Sequence, residues 1–201
     1  METYSERVKI SELGLTEPVV EALRRNHVGL EVKTTEGIIS LENLSPEDRQ
    51  KVMSDILFFN RNPTIPLENV CSRFDNYFPM NDSQQKLLDS ARKLAEYERA
   101  DRPAGIWAYG NPGIGKTHIA VGLAKELMER GMDPKFVQMK SKDALPFYNK
   151  ITNEYRFRNG GTLIIDDFND LGHDLKLKFI LGAVLNAHNT GGKLLVTTNM
   201  D

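Results

Sequence analysis

The sequence predicts an α/β fold, a parallel sheet with flanking helices, preceded by a small N-terminal α/β or helical unit. Three observations carry this expectation. From residue 70 onward, short apolar and partly β-branched runs (GIWAYG, KFVQMK, TLIIDD and KLLVTT) alternate with stretches of helical periodicity. A glycine-rich turn, GNPGIGKT, lies between the first of these runs and the helix after it. Ahead of them, NRNPTIPLEN holds two prolines and three asparagines, the chemistry of a connector, because proline blocks helix continuation and asparagine favours turns. The chain therefore reads as a unit over 1–60, a linker over 61–69 and a core over 70–201.

In the first region EPVVEALRRN, Glu17 to Asn26, has helical apolar spacing, and VGLEVKTTEGIISL reads as two extended runs turning near Glu36 and Gly37. SPEDRQKVMSDILFF is a helix with Ser45 as N-cap and Pro46 at its first position. Asp48 stands where a capping-box acid belongs, and Val52, Met53, Ile56 and Leu57 share one face. In the core, Asn81, Asp82 or Ser83 caps a helix carrying Leu87, Leu88, Ala91, Leu94 and Ala95. GIWAYG follows as a short buried strand, and His118 to Arg130 as a helix closed by Gly131. Two further helical stretches, near 142–155 and 174–187, separate the remaining strands. No internal repeat or low-complexity tract interrupts the pattern.

Composition narrows the function. With 201 residues, 40% of them hydrophobic, the chain supports one substantial core and a small appendage. A net charge of -2 excludes a uniformly basic surface, so any DNA contact is local. The single cysteine, Cys71, excludes an internal disulfide. His27, His118, His173 and His188 show no zinc-ligand spacing with it, so the metal expected is the one a nucleotide brings. METYSERVK lacks the apolar centre of a signal peptide, and no run approaches the ~18 apolar residues of a membrane span. A cytoplasmic protein with no membrane partner is the expectation.

Gly110, Asn111, Pro112, Gly113, Ile114, Gly115, Lys116 and Thr117 match G-x-x-x-x-G-K-[ST] between a strand and a helix. Gly113 and Gly115 permit left-handed backbone angles and close approach, which turns amide N–H groups toward phosphate oxygens. Lys116 supplies charge to the β- and γ-phosphates, Thr117 supplies a hydroxyl to Mg²⁺, and the next helix adds its N-terminal dipole. His118 borders this cofactor-binding loop, although a place on the helix surface suits it as well. Asp166 and Asp167 end the run LIIDD: Asp166 would hold Mg²⁺, while Asp167 either polarises the attacking water or only caps a turn. Asn199, at the end of LLVTTN, is placed to bond the γ-phosphate or that water. Lys116, Asp167 and Asn199 are thus the catalytic candidates, and Thr117 and Asp166 the metal ligands. Arg73, Phe74 and Tyr77 are either adenine contacts or core, while His173 and His188 have no visible partner.

With loop, acid pair and polar strand end in this order, the chain resembles the AAA+ ATPases. More narrowly it resembles the bacterial helicase loaders of the DnaC and DnaI type and the related IstB-type transposition ATPases. RFDNYFPMNDSQQKLLDSARKLAEYE, GNPGIGKTHIAVGLAKEL, TLIIDDF and LLVTTN carry the resemblance, from Arg73 to Asp201. It implies a P-loop NTPase fold of AAA+ type, with ATP and Mg²⁺ as cofactors. Gly110, Gly113, Gly115, Lys116 and Thr117 match the Walker A positions, Asp166 and Asp167 Walker B, and Asn199 sensor 1. It further implies delivery of a replicative DNA helicase to single-stranded DNA through an ATP-dependent homo-oligomer, with the N-terminal unit gripping the helicase.

The family pattern continues past sensor 1 into a fifth strand, an arginine finger and a helical lid with sensor 2, parts that this chain lacks. It is therefore expected to be either a truncated piece or an ATPase that binds without efficient turnover. His188 stands where the loaders usually have arginine, and the N-terminal region lacks the cysteines of the zinc-bearing loaders. The rival readings are an IstB-like transposition helper, a non-hydrolysing nucleotide-binding adaptor, and a small-molecule phosphotransferase. The last would need a basic lid, for which no arginine cluster is visible.

Overall fold

In the computed structural model the described residues are 7–33, 35–97, 103–154, 161–170, 182 and 192–199. The chain divides into two compact units, Met1–Cys71 and Ser72–Asp201. No helix among the described residues is long and apolar enough to cross a membrane.

The first unit runs β1 (Arg7–Lys9), α1 (Glu17–Asn26), β2 (Glu31–Lys33), β3 (Ile38–Ser40) and α2 (Pro46–Arg61), then a 3₁₀ turn at Leu67–Asn69. Its sheet is antiparallel in the order β1-β3-β2, with Val8 and Val32 both paired to Ile39. The expected pair of extended runs is β2 and β3. β1 was not predicted, because RVK carries no apolar alternation of its own. The Ser45 hydroxyl caps α2 by accepting from the Asp48 N–H at 3.1 Å. Asp48 departs from a capping box: its carboxylate accepts from the Ser45 hydroxyl at 2.7 Å, not from the backbone N–H of Ser45.

The buried stripe of α2 also differs from the one predicted. Val52, Asp55, Ile56 and Phe58 are buried, whereas Leu57 is 45% exposed. An acid therefore occupies a place that periodicity assigns to an apolar side chain. The expected linker, 61–69, is part of the first unit: Asn62, Thr64 and Ile65 are buried, and the 3₁₀ turn packs against α1. Prolines 63 and 66 end α2 and shape this return, and the compact unit closes at Cys71.

The second unit runs α3 (Asp82–Glu96), β4 (Ala104–Gly110), α4 (Lys116–Glu129), β5 (Lys135–Gln138), α5 (Ala144–Glu154), β6 (Thr162–Asp166), a 3₁₀ turn at Phe168–Asp170, and β7 (Lys193–Asn199). The four strands are parallel in the order β4-β7-β6-β5. Every residue of β6 is buried, as the run TLIID requires of a strand flanked on both sides. Val137, Leu163, Ile165, Val196, Tyr148 and Phe168 form much of the core on one side of the sheet.

Asn81 is the cap of α3, accepting from the Gln84 N–H at 3.0 Å, and Leu88, Ala91, Leu94 and Ala95 are its buried face. Gly131 ends α4 in a left-handed conformation, φ 79°, with its N–H donating to the Met128 carbonyl. β4 is not the buried strand expected. It is an edge strand among the described residues, with Trp107 and Tyr109 at 47% and 63% exposure. Of the helix expected near 174–187 only Gly182, which is helical, is described; the rest, with His173 and His188, lies outside the described residues.

Candidate functional site

The glycine loop leaves the end of β4 and enters α4. Gly113 and Gly115 have φ values of 82° and 86°, the left-handed region that favours glycine. Gly115 is constrained further, since a Cβ there would lie 2.4 Å from Cε2 of Tyr77. The Tyr77 hydroxyl donates to the Ile114 carbonyl at 2.8 Å, and the Gln84 amide donates to the same oxygen at 3.2 Å. The segment leading into α3 thus braces the loop from outside. Tyr77, a candidate for adenine contact or core, packs against the loop and supports it.

Helix α4 begins differently from α2 and α3. Gly115 gives it no side-chain cap, and no acid lies in its first turn. Its first N–H groups carry the helix dipole with no side-chain acceptor supplied from the cap, which suits an anion. Lys116 is buried, and its Nζ donates to the carbonyls of Gly110 and Asn111, both at 2.8 Å. Burial lowers its pKa, while the carboxylates of Asp167 and Asp166 act in the opposite direction.

Thr117 lies one residue further on and reaches across to β6. Its hydroxyl is 2.9 Å from Oδ2 and 3.2 Å from Oδ1 of Asp166. Thr197, on β7, donates to Oδ1 of Asp166 at 2.5 Å and accepts from the Asp167 N–H at 3.0 Å. Asp166 is fully buried, and desolvation pushes its carboxyl up to about 6, against the lowering effect of the Thr197 hydrogen bond. The neighbouring Asp167 raises it further. The half-buried Thr117 hydroxyl and the buried Asp166 carboxylate, both hard oxygen donors, fit a small divalent cation such as Mg²⁺, and the loop fits the phosphates beside it.

Asp167 has φ 53°, the one described non-glycine residue with positive φ. Its Oδ2 accepts from Gln138 at 3.1 Å and pairs with Lys140 at 3.0 Å. Asn199 lies in register with Gly110, which brings it to the mouth of the loop, and its N–H donates to Oδ1 of Asn169 at 3.1 Å. The structure thereby gathers Lys116, Thr117, Asp166, Asp167 and Asn199 at the carboxyl ends of β4, β6 and β7.

His118 does not join them. Its Nε2–H donates to the Arg73 carbonyl and to Oδ1 of Asn76, both at 2.9 Å, and its ring packs on Tyr77. Burial holds its pKa below the usual histidine value, which favours the neutral ring. Both the cofactor contact and the free surface position expected for it are replaced by this anchorage. Arg73 pairs with Glu129 at 2.7 Å, and Phe74 is buried against Gly122. A cavity of about 680 Å³ does open beside the loop, but Asn81, Gln84, Tyr109, Gly110, Asn111 and Ile114 line it.

Sequence reasoning missed Thr197, Gln138 and Lys140. Thr197 was legible in principle: β6 and β7 pair Ile165 with Val196, so the next step along both strands puts Asp166 beside Thr197. Gln138 and Lys140 had no comparable signal, because their role depends on the β5–β6 pairing that seats Gln138 against Asp166.

No family model matches the chain. Over 178 residues it is 27% identical to the replicative helicase loader DnaC of Escherichia coli (strain K12), covering 83% of this chain and 70% of that protein. The crystal structure of the DnaC helicase loader matches with a TM-score of 0.52 at 25% identity, over 65% of this chain and 77% of that one. The crystal structure of DnaI matches with a TM-score of 0.53 at 20% identity, over 68% and 76%. The chain is homologous to the DnaC helicase loader, and its parallel sheet with flanking helices has the AAA+ P-loop fold.

Proposed function

We propose that this chain, homologous to the DnaC helicase loader and built on an AAA+ P-loop fold, is an ATP-binding protein of DNA replication that helps deliver a replicative helicase to single-stranded DNA. The observation that supports it most is the approach of the Thr117 hydroxyl to the Asp166 carboxylate, 2.9 Å across the junction of loop and strand. Two oxygen donors from elements far apart in sequence meet beside a lysine and a left-handed glycine turn, the arrangement a Mg²⁺–nucleotide requires.

In this reading the amides of residues 113–117 hold the phosphates, and Lys116 shifts its ammonium from loop carbonyls to phosphate oxygens. Thr117 and Asp166 hold Mg²⁺, which supplies charge neutralisation at the terminal phosphates. Thr197 fixes the Asp166 carboxylate through its short hydrogen bond. Asn199 orients the γ-phosphate or the attacking water, and Asp167 accepts the water's proton. The first unit grips the helicase, and the second contacts single-stranded DNA in an ATP-dependent homo-oligomer in the cytoplasm. Helicase, DNA and oligomer rest on the homology alone.

A second reading has one observation in its favour. Oδ2 of Asp167 is already engaged by Gln138 and Lys140, which suits a protein that binds nucleotide and works through binding, with little turnover. Mg²⁺-ATP turnover measured across protein concentration, with and without single-stranded DNA, separates the two. A rate per subunit that rises with concentration supports the active loader. Clear nucleotide binding with no turnover supports the binding-only form, and absence of nucleotide binding overturns both.

A further inference from the structure

The first unit brings together three side chains that no motif connects. His27 stands just past the end of α1, Asp55 lies in the middle of α2, and Cys71 follows the 3₁₀ turn. One ligand atom from each lies within 4.8 Å of the other two. His27 Nε2 is 2.9 Å from Oδ2 of Asp55 and 3.7 Å from Sγ of Cys71. Asp55 is fully buried and Cys71 is 7% exposed.

Two ordinary explanations fall short of this geometry. A histidine–aspartate pair accounts for two of the groups and does not by itself bring the Cys71 thiol to within 3.7 Å of the same nitrogen. A cysteine–histidine–aspartate relay uses opposite ring nitrogens, one toward the thiol and the other toward the acid. Here both partners face Nε2, so no proton can pass through the ring from one to the other. Convergence of sulfur, nitrogen and oxygen on one point is what a shared metal ion demands.

We propose that His27, Asp55 and Cys71 bind a zinc-class divalent cation that ties together the three segments of the first unit. Ligand chemistry selects the class. A thiolate disfavours Mg²⁺ and Ca²⁺, whereas thiolate, imidazole and carboxylate together suit Zn²⁺. Zinc bonds of ~2.3 Å to sulfur and ~2.0 Å to nitrogen, at a tetrahedral angle, put the two ligand atoms about 3.5 Å apart. The observed 3.7 Å needs little adjustment, and the 2.9 Å nitrogen–oxygen pair opens by a few tenths of an ångström to admit the ion.

Charge agrees as well: one thiolate and one carboxylate balance a dication, so the buried centre is neutral when His27 is neutral. The first unit is a 71-residue body, in the size range where a single apolar core gives little stability and a metal is a common reinforcement. The ion would close the loop between residues 27 and 71, which spans β2, β3 and the whole of α2.

The test uses the full chain, without an affinity tag, kept reduced, stripped of metal and titrated with Co²⁺. The expected result is a thiolate-to-metal charge-transfer band in the near ultraviolet, together with visible bands of tetrahedral intensity. Both should saturate at one ion per chain and disappear when Zn²⁺ is added. Cys71→Ser should remove the charge-transfer band, and His27→Gln should weaken Co²⁺ affinity by at least ~10-fold. If Cys71→Ser fails to fold, the wild-type spectrum and stoichiometry still decide. Absence of a charge-transfer band at excess Co²⁺ overturns the proposal, as does its survival in folded Cys71→Ser. The nucleotide site contributes no thiol, so failure here leaves the reading of that site untouched.

Discussion

Gly115→Ala tests whether Tyr77 is seated on the phosphate loop as the structure places it. The substitution has two separable effects. At φ 86° and ψ 19° an alanine occupies a left-handed conformation, which costs ~1–2 kcal/mol. Its Cβ also falls 2.4 Å from a Tyr77 ring carbon, where ordinary contact needs ~3.5 Å. The ring must withdraw by about 1 Å, which stretches the 2.8 Å bond from the Tyr77 hydroxyl to Ile114 beyond useful length and costs a further ~0.5–1.5 kcal/mol. The total loss is ~1.5–3.5 kcal/mol.

In a Tyr77→Ala background only the backbone part remains, so Gly115→Ala should be milder there by ~0.5–1.5 kcal/mol, the coupling between the two positions. Urea unfolding followed by the fluorescence of Trp107 reads this in the right unit, since it is the chain's one tryptophan and stands 5.7 Å edge-to-face from Phe168. Equal losses in the two backgrounds, within ~0.3 kcal/mol, would refute the seating of Tyr77. A loss well below 1 kcal/mol would refute the left-handed loop itself.

Lys116→Ala should weaken Mg²⁺-nucleotide binding by at least ~10-fold, because charge-assisted hydrogen bonds contribute ~1.5–3 kcal/mol, and calorimetric affinity unchanged by the substitution would remove the loop from the site. Asp167→Asn is expected to keep nucleotide binding and abolish any hydrolysis; phosphate release at the wild-type rate would leave Asp167 as a turn residue. For Asp166 the folded carboxyl, at about 6, lies above its ordinary 3.8, so ionising it weighs against the fold. That penalty is full above the folded value and gone below the unfolded one, and a gap of roughly 2 units corresponds to ~3 kcal/mol at most. Metal-free Asp166→Asn should therefore be more stable than wild type in urea at pH 8, with the gain fading as pH falls through 6 toward 4. A gain independent of pH would contradict the assignment.

The parts legible in the sequence are those decided locally. Ser45 followed by Pro46 starts α2 where it was read, because the cap acceptor and the missing proline N–H act within one turn. Asn81 and Gly131 bound their helices for equally local reasons. GNPGIGKT is legible because glycine angles and a helix N-terminus are properties of eight consecutive residues. What stayed hidden depends on who stands next to whom. Trp107 and Tyr109 look like core until β4 is known to be an edge, and Asp55 looks like surface until α2 turns it inward. Thr197 acquires its role only through the register of β7 on β6, and Cys71 meets His27 across 44 positions of chain.

Three buried residues, Asp55 hidden in the sequence and Lys116 and Asp166 marked there only by motifs, share a physical character that propensity and periodicity do not capture. Asp55, Asp166 and Lys116 are charged residue types in places where local rules expect apolar ones, and each is buried among polar partners supplied by other elements. Such groups weaken an apolar core, so a fold that keeps them needs something that compensates for the lost hydration. For Lys116 and Asp166 the proposed function supplies the compensation: a phosphate-bearing ligand with its cation would bind the folded second unit and stabilise it increasingly as its concentration exceeds Kd. For Asp55 it is an ion shared with His27 and Cys71. The two units thus present the same problem of buried charge, and each is expected to gain stability from a different ligand: the second unit from Mg²⁺-nucleotide, the first from a thiol-seeking metal. Neither gain should appear in the other unit's transition.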